Sequence, residues 1–253
     1  MQVRTRDELA ALLARRITQG HLAPGMTLPS ERVLAEEHGL SRSMVRESLR
    51  TLAERRLIEI RPGRGSIVRG PSIEGSAERL TGIFDERQIT ARALIEARTM
   101  VEATAAGLAA SQCRDVALGP IDEALAGLDR GASLADQVRG DFAFHLAVVR
   151  GAGNPLIETM FIAIRPYTLE LMIRSLTDDR LSSESLPYHQ RIRDGIASGD
   201  ADAASGAMRE HLATGLRYYG DDLDRSLDVV TRRSLGLTGD AGLSLETLLG
   251  PGF

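Results

Sequence analysis

Four side chains able to bind a metal ion fall on the apolar faces of predicted helices in the second half of the chain. Asp141 and His145 lie one turn apart on the apolar stripe of a helix that Ser133 is expected to begin. Two later predicted helices each carry one histidine in line with apolar residues, His189 and His211. Buried ionisable groups are costly unless they are paired or bind a metal. One carboxylate oxygen with imidazole nitrogens suits zinc, nickel, iron, manganese or copper.

An inward-facing histidine also has a simpler explanation. Most single histidines on an apolar face are hydrogen-bonded core residues rather than ligands. Here three of the five histidines in the chain face inward, together with an aspartate. This coincidence favours a metal site, but the spacing alone leaves both explanations open.

Length and composition describe a globular protein with room for one large or two small domains. The chain has 253 residues, of which 43% are hydrophobic and 26% are charged, and no apolar run approaches the length of a membrane span. Its single cysteine, Cys113, excludes an internal disulfide and fits a reducing compartment. The first residues lack the apolar segment of a signal peptide. These features predict a cytoplasmic protein that does not bind membranes.

Charge is divided unevenly between a basic head and an acidic body. Residues 1–70 contain 13 arginines against 8 acidic residues, a net charge of +5, whereas residues 71–253 have a net charge of −9. All 31 basic residues are arginine, which we attribute to genomic composition bias. This uneven charge predicts that only the basic head, residues 1–70, binds a polyanion.

The head has the pattern of a helix-turn-helix. Ser30 and Ser41 are each placed to begin a short helix, and Gly39 is placed to end the first of them. On the second helix, arginines at four-residue spacing form a stripe beside the apolar stripe: Arg42, Arg46 and Arg50. Guanidinium groups bind guanine edges or phosphates, although such a stripe can also be a solvated face paired by Glu47 and Glu54.

The segment after this helix favours DNA binding over a solvated face. Residues 57–61 and 66–69 are β-prone runs on either side of Pro62-Gly-Arg-Gly65, a pattern typical of a hairpin with Arg64 at its tip. A helix-turn-helix followed by a basic hairpin is a winged helix.

These motifs resemble the N-terminal domain of the GntR family of bacterial transcription regulators. The matching segments are Leu28-Pro-Ser-Glu-Arg32, Gly39-Leu-Ser-Arg-Ser-Met-Val-Arg-Glu47 and Gly63-Arg-Gly-Ser66, in the order of the family and within residues 5–69. The resemblance implies DNA contacts from the arginine of the first motif, the start of the recognition helix and the tip of the wing. Those residues are Arg32, Ser41, Arg42, Ser43, Arg46, Arg64 and Gly65, with Arg50 as a weaker match.

The body, beyond a linker at residues 71–76, is predicted to be an antiparallel bundle of helices. Helices are expected over residues 88–111, from about Ile121 to an end at Gly131, and from Ser133 to about Gly151. Further helices are expected from Asn154-Pro155 onward, with a kink at Pro166, and around residues 182–198 and 200–219. The last 33 residues carry a glycine-rich spacing that favours a loose tail. A short docked helix is the alternative, and the sequence leaves both open; its apolar residues would be Leu243, Leu245, Leu248 and Leu249.

The body resembles the FCD ligand-binding domain of the FadR-type branch of the same family, over residues 76–220. The marks are Glu96-Ala-Arg98 with Glu102, Asp141-Phe-Ala-Phe-His145, Gly153-Asn-Pro155, His189 and His211-Leu212. The resemblance implies a divalent metal ion, with zinc the first expectation and nickel, manganese or iron the alternatives. The implied ligands are Asp141, His145, His189 and His211. Relatives that respond to fatty acyl groups lack these ligands, so a fatty-acyl effector is disfavoured.

Together the two resemblances predict a mainly α protein with two domains. A winged helix-turn-helix occupies residues 1–70, a linker residues 71–76, an all-α antiparallel bundle that binds metal and effector residues 77–220, and a C-terminal extension residues 221–253. We expect a homodimeric transcription regulator, a repressor, on palindromic double-stranded operator DNA. A small carboxylic acid bound at the metal is the expected effector.

Arg98 is the residue expected to bind that acid, because its planar guanidinium matches a carboxylate. Arg98→Ala should then spare the metal, whereas an ion pair with Glu102 on the same helix is the alternative role. Two other functions remain open: a regulator whose metal is itself the signal or is structural, and a metal-dependent hydrolase joined to a DNA anchor. No further inward carboxylate stands out as a general base, so the chain is not expected to be an enzyme.

Overall fold

The computed structural model describes residues 3–69, 73–84, 88–112, 114–128 and 132–236 of the chain. Contacts divide the protein into two units, Met1–Ser76 and Ala77–Phe253. Helices dominate both, as the sequence predicts, and the described residues form twelve α-helices and one two-stranded sheet.

The N-terminal unit consists of three helices and a hairpin. Its elements are α1 (Arg6–Thr18), α2 (Glu31–His38), α3 (Arg42–Glu54), β1 (Ile58–Arg61) and β2 (Gly65–Val68). The strands pair antiparallel, with Arg61 opposite Gly65. One apolar cluster joins the three helices to the hairpin; it includes Leu9, Leu34, Val45 and Val68.

The turn between α2 and α3 forms at the predicted serine and glycine positions. Ser30 Oγ accepts a hydrogen bond from Val33 N, and Ser41 Oγ accepts one from Met44 N, so each serine caps its helix. Gly39 ends α2 with a φ of 66°, in the left-handed region that favours glycine. The predicted winged helix-turn-helix is therefore confirmed.

The C-terminal unit is an all-α bundle around one long helix, α5. Its elements are α4 (Ile73–Phe84), which spans the division between the units, α5 (Ala91–Gln112), α6 (Arg114–Ala126), α7 (Leu134–Gly151), α8 (Pro155–Ala163), α9 (Arg165–Leu176), α10 (Asp179–Ser198), α11 (Ala201–Tyr218) and α12 (Leu227–Ser234). α5 packs against α7, α10 and α11. Small side chains on α5 permit this close approach, among them Ala103, Ala106 and Ala110.

Two parts of this unit differ from the sequence prediction. Residues 73–76 of the predicted linker form the first turn of α4. Pro166 does not kink a continuous helix, because α8 ends at Ala163 and α9 begins at Arg165. Proline therefore occupies the first turn of α9, where no N–H hydrogen bond is needed.

The chain beyond α11 is packed as far as the structure describes it. A 3-10 turn at Gly220–Asp224 and α12 bury Leu223, Leu227 and Val230, and α12 lies against α9. The glycines that favour a loose tail occur at 236–242 and 250–252, and all except Gly236 lie outside the described residues.

α10 crosses α11 closely at Gly195. A β-carbon there would lie 2.7 Å from Ala204 N and 2.8 Å from Ala204 Cα. We expect Gly195→Ala to lower the free energy of unfolding by about 1–3 kcal/mol in denaturant titrations, despite a helix-propensity gain of about 1 kcal/mol. Gly206→Ala in α11 is the matched control, because no atom lies within 4 Å of the added β-carbon. It should be at least as stable as the wild type; equal stability of the two variants would contradict the close crossing.

Candidate metal centre and DNA-binding surface

α7, α10 and α11 bring the four predicted metal ligands together inside the C-terminal unit. α7 begins at its predicted cap, Ser133, and carries Asp141 and His145 one turn apart. α10 supplies His189 and α11 supplies His211. The three histidines are buried, and one nitrogen from each lies within 4.8 Å of a nitrogen from the others. The structure thus places the four side chains in one cluster.

Two pairs of atoms in this cluster have the spacing that adjacent ligands of one metal ion require. His145 Nε2 lies 3.2 Å from His211 Nε2, and Asp141 Oδ1 lies 3.1 Å from His189 Nε2. Two atoms that are each about 2.0–2.1 Å from one ion, at an angle between about 90° and 109°, are about 2.8–3.4 Å apart. Both distances fall in this range. The 3.9 Å between Asp141 Oδ1 and His145 Nε2 corresponds to a wider angle.

Several nitrogens of the cluster have no hydrogen-bond partner among the described residues. They are His189 Nδ1, His189 Nε2 and His211 Nδ1, all shielded from solvent. The approach of His189 to Asp141 lacks the alignment of a hydrogen bond. Buried polar atoms are nearly always satisfied, and an ion held by the Nε2 atoms would satisfy His189 Nε2. A carboxylate oxygen together with imidazole nitrogens is a donor set that fits a divalent metal.

Burial and mutual charge set the ionisation of the cluster. Burial would raise the pKa of Asp141, but His189, followed by His145 and His211, outweighs this effect and holds the pKa below its usual range. Burial is the main reason that the pKa of His211 lies well below 6.5, and His189 and His145 lower it further. A carboxylate and a neutral imidazole are the forms that bind metal.

Glu102 connects His145 to Arg98 through buried hydrogen bonds. Glu102 Oε2 bonds His145 Nδ1, and Arg98 Nε donates to Glu102 Oε1 at 2.6 Å. Burial would raise the pKa of Glu102, but Arg98 and then His145 outweigh it, so the pKa is lowered and the carboxyl group is ionised. An ionised Glu102 holds the His145 proton on Nδ1, which leaves Nε2 free to face the other ligands.

The sequence indicates Glu102 only as an alternative partner of Arg98. That ion pair is present, and both side chains are buried, Glu102 completely. The second partner, His145, is on another helix 43 residues away, so helical spacing does not reveal it. The second partner of Glu102 could have been inferred from the ion pair itself, because a buried charge is costly unless all of its polar atoms are paired.

A cavity of about 40 Å³ adjoins the cluster. Arg98, Asp141, His189 and His211 all lie on its wall, so the predicted effector residue and three predicted metal ligands face one space. A single water needs about 10–15 Å³, so the space suits a small ligand. Apolar side chains form most of the remaining wall, together with four hydroxyl groups, from Ser175, Ser185, Thr214 and Tyr219.

The hydroxyl side of the cavity is absent from the sequence prediction. Tyr219 Oη donates to Leu171 O at 2.9 Å and lies 2.7 Å from Ser175 Oγ. Burial raises the pKa of Tyr219 to about 12, so its phenol is neutral. No spacing rule distinguishes these hydroxyls from ordinary core positions, because the helices that carry them meet only in the folded bundle.

The N-terminal unit presents the predicted DNA contacts on α2, α3 and the hairpin, and several of them are paired. Arg46 Nε and Nη2 donate to the two carboxylate oxygens of Glu31, each at 3.0 Å. Arg32 Nη1 donates to Glu36 at 2.7 Å. Within the described residues, neither Arg42 nor Arg64 forms an ion pair. These two guanidinium groups are therefore the ones most available to phosphates.

The remaining predicted contacts lie at helix and hairpin ends. Ser41 and Ser43 stand at the start of α3 with their Oγ atoms 2.9 Å apart. Gly63 and Gly65 flank Arg64 with φ values of 73° and 82°, a left-handed backbone that allows the tight turn between the strands. The structure thus distributes the seven predicted contacts over the recognition helix, the start of α2 and the tip of the wing.

The two halves of the chain match two family models. The model for bacterial regulatory proteins of the gntR family matches residues 5–68, and the FCD domain model matches residues 93–214. The chain is 31% identical to the HTH-type transcriptional regulator LutR of Bacillus subtilis (strain 168), over 78% of this chain and 92% of that protein. It is 29% identical to the galactonate operon transcriptional repressor of Escherichia coli (strain K12), over 86% of this chain and 97% of that protein.

A solved structure, Streptococcus agalactiae GntR, is similar in fold. Its TM-score is 0.63 at 25% identity, over 84% of this chain and 99% of that chain. In the described part of this chain, no helix has both the length and the apolar character to span a membrane. The matched families and relatives are transcription regulators, not enzymes. The chain therefore belongs to the GntR family of bacterial transcription regulators and has the FadR-type architecture, a winged helix-turn-helix followed by an FCD domain.

Proposed function

We propose that this transcription regulator releases or retains operator DNA according to a small carboxylic acid bound beside a divalent metal ion in its FCD domain. The observation that carries the proposal is that four side chains line one and the same cavity: Arg98, Asp141, His189 and His211. A metal ion and a guanidinium on one wall suit a carboxylate, since its two oxygens can bind one each. Zinc is the first candidate, with nickel, manganese and iron as alternatives.

Each residue of the site has a separate role in this proposal. Asp141, His145, His189 and His211 would hold the ion, which when bound supplies positive charge and an open coordination position to the acid. Glu102 keeps the Nδ1 proton of His145 in place. Arg98 holds Glu102 through Nε and Nη2, and its Nη1 group, which has no partner among the described residues, can reach an acid in the cavity.

We propose further that the protein acts as a homodimeric repressor on a palindromic operator. Two winged helices related by a two-fold axis match two half-sites, and one of the relatives is itself named a repressor. A ligand that binds one arrangement of the two DNA-binding units more tightly shifts the protein toward it and changes operator affinity. Operator affinity that is identical with and without the acid would contradict control by an effector.

A thermal-shift screen of carboxylic acids on the zinc-loaded protein tests the effector. A ligand that binds only the folded protein raises the melting temperature in proportion to the logarithm of its concentration. Hits are then tested by titrating a DNA duplex that the protein selects from a randomised pool, with metal alone, acid alone and both. If metal alone changes DNA affinity and no acid adds to it, the metal is the signal. If neither metal nor any acid changes DNA affinity, the metal has a structural role.

Metal occupancy is expected to fall as the pH is lowered from about 7.5 to about 5, because protons compete for imidazoles whose ordinary pKa is about 6.5. The lowered pKa of His211 keeps this ring neutral in more acidic solution than an exposed histidine. The same shift makes the metal-free fold less stable in acid, since the unfolded chain takes up this proton at about pH 6.5 and the folded chain only below it. Elemental analysis and circular dichroism across a pH series measure both effects; a metal-free fold that is equally stable at pH 7.5 and at pH 5 would contradict the lowered pKa of His211.

Arg46→Ala is expected to weaken binding to the selected duplex by about 1–3 kcal/mol, the range of a two-point contact with a base edge. Arg42→Ala is expected to act as the loss of a phosphate contact, lowering the slope of log affinity against log salt by about 1. Fluorescence anisotropy at several salt concentrations separates the two effects. If Arg46→Ala binds as the wild type does, Arg46 lies outside the interface.

A further inference from the structure

We infer that Glu31 is a specificity-determining residue, which holds Arg46 in the orientation that presents one edge of its guanidinium to a base. The inference rests on the proposed base contact of Arg46. A carboxylate on a DNA-binding surface repels the phosphate backbone and lowers affinity for every duplex. Its position beside the central arginine of the recognition helix therefore calls for a role other than attraction to DNA.

The contact between Glu31 and Arg46 joins two helices. Glu31 is the first residue of α2, and Arg46 lies within α3, fifteen positions later in the chain. Both carboxylate oxygens accept a hydrogen bond, from Nε and from Nη2, at 3.0 Å each. Hydrogen bonding from Arg46 is also the main cause of the lowered pKa of Glu31. A two-point contact of this kind fixes the plane of the guanidinium as well as its position.

The donors that Glu31 leaves free are those that a guanine needs. A guanidinium has five N–H donors in a fixed fork. Glu31 takes Nε–H and one hydrogen of Nη2, so the other Nη2 hydrogen and both Nη1 hydrogens remain. Nη1 and Nη2 together form the outer edge, whose parallel N–H groups match O6 and N7 of guanine. Glu31 therefore fixes the orientation of Arg46 without occupying the edge that would bind the base.

The other arginine–carboxylate pairs of α2 and α3 have a different geometry from that of Glu31 and Arg46. Arg32 pairs with Glu36, and Arg50 pairs with Glu47, each within one helix. In both pairs the donor is Nη1, which belongs to the outer edge. Such exposed pairs within a helix are weak and can open to release the arginine to phosphates. Only Arg46, among the arginines of these three pairs, is held through its inner edge by a neighbouring helix.

Loss of the contact between Glu31 and Arg46 should therefore lower the discrimination between DNA sequences rather than the general affinity for DNA. Glu31→Gln removes one negative charge and frees Arg46 to turn toward phosphates. We expect binding to a scrambled duplex to tighten, and the ratio of affinities for the selected and scrambled duplexes to fall by about tenfold, within the contribution of one two-point base contact. The measurement is anisotropy with the full chain and both duplexes at one salt concentration.

Glu47→Gln is the matched control, because it removes the same charge from the surface and leaves the Glu31–Arg46 pair intact. It should tighten binding to both duplexes alike and leave the ratio unchanged. In an Arg46→Ala background, Glu31→Gln should no longer change the ratio, since its effect acts through Arg46. An equal fall in the ratio for Glu31→Gln and Glu47→Gln, or an undiminished effect of Glu31→Gln without Arg46, would overturn the inference.

Two further outcomes show how this inference depends on the base contact proposed for Arg46. If Arg46→Ala weakens binding to the selected duplex while Glu31→Gln keeps the wild-type ratio, the base contact stands and the role of Glu31 is refuted. If Arg46→Ala has no effect, both fall together. Glu31→Asp covers the case in which Glu31→Gln unfolds the N-terminal unit: it keeps the charge but is one methylene shorter, so it should lower the ratio without tightening binding to the scrambled duplex.

Discussion

His189→Ala is expected to remove stoichiometric metal from the protein. His189 comes from α10, whereas Asp141 and His145 come from α7 and His211 from α11, so its loss leaves one side of the site without a ligand. Mutation of a residue that merely supports a ligand weakens metal binding by about 10–100-fold, and loss of a ligand should exceed this. Competition with a chelator of known affinity measures the change, and elemental analysis of the purified variant measures occupancy.

The control for this variant is His21→Ala, which removes an exposed imidazole from the N-terminal unit and should leave metal content unchanged. DNA binding by His189→Ala without effector should stay close to that of the wild type, because the contacts proposed for DNA belong to the other unit. Its response to the acid should disappear. If the variant keeps its metal and its response, the three histidines are polar core residues and the proposed centre is wrong.

The sequence predicts this cluster well because each ligand follows a local rule. Asp141 and His145 share a face by their four-residue spacing, and Ser133 begins their helix as its side chain predicts. His189 and His211 lie on the apolar stripes of their own helices and are buried accordingly. Since all these helices turn their apolar faces to one core, inward-facing ligands must converge there. The resemblance to the FCD domain is what favours a metal site over simple core histidines.

The parts that the sequence does not predict depend on pairings between distant segments. Glu31 reaches Arg46 across a helix boundary, and Glu102 reaches His145 from another helix. No periodicity links such positions, because their proximity follows from how the helices cross. The first turn of α4 at residues 73–76 was missed because Gly75, like Gly70 and Pro71 before it, favours a linker by local propensity.

Arg98→Ala is expected to lower the free energy of unfolding of the metal-free protein by about 3–5 kcal/mol, the cost of removing one partner from a buried ion pair. Arg98 is the strongest of the influences that keep the pKa of Glu102 low against burial. Without it, the carboxyl group tends to take up a proton and its hydrogen bond to His145 Nδ1 is weakened. Metal affinity should then fall by about 10–100-fold. This expectation differs from the one drawn from the sequence, in which the variant spares the metal, and the metal titration decides between them.

A double variant separates the structural role of Arg98 from effector binding. Arg98→Met with Glu102→Leu replaces the buried pair by apolar side chains of similar size. It should recover only part of the lost stability, because such replacements are often neutral or stabilising but this one leaves the buried Nδ1–H of His145 without its acceptor. It should not recover metal affinity, because His145 still lacks its carboxylate partner. With zinc in large excess, Arg98→Ala can be compared with the wild type at equal occupancy. If the acid then binds it as tightly as the wild type, Arg98 acts only through Glu102 and the metal alone holds the acid; if acid binding is weaker, the free Nη1 group contributes directly.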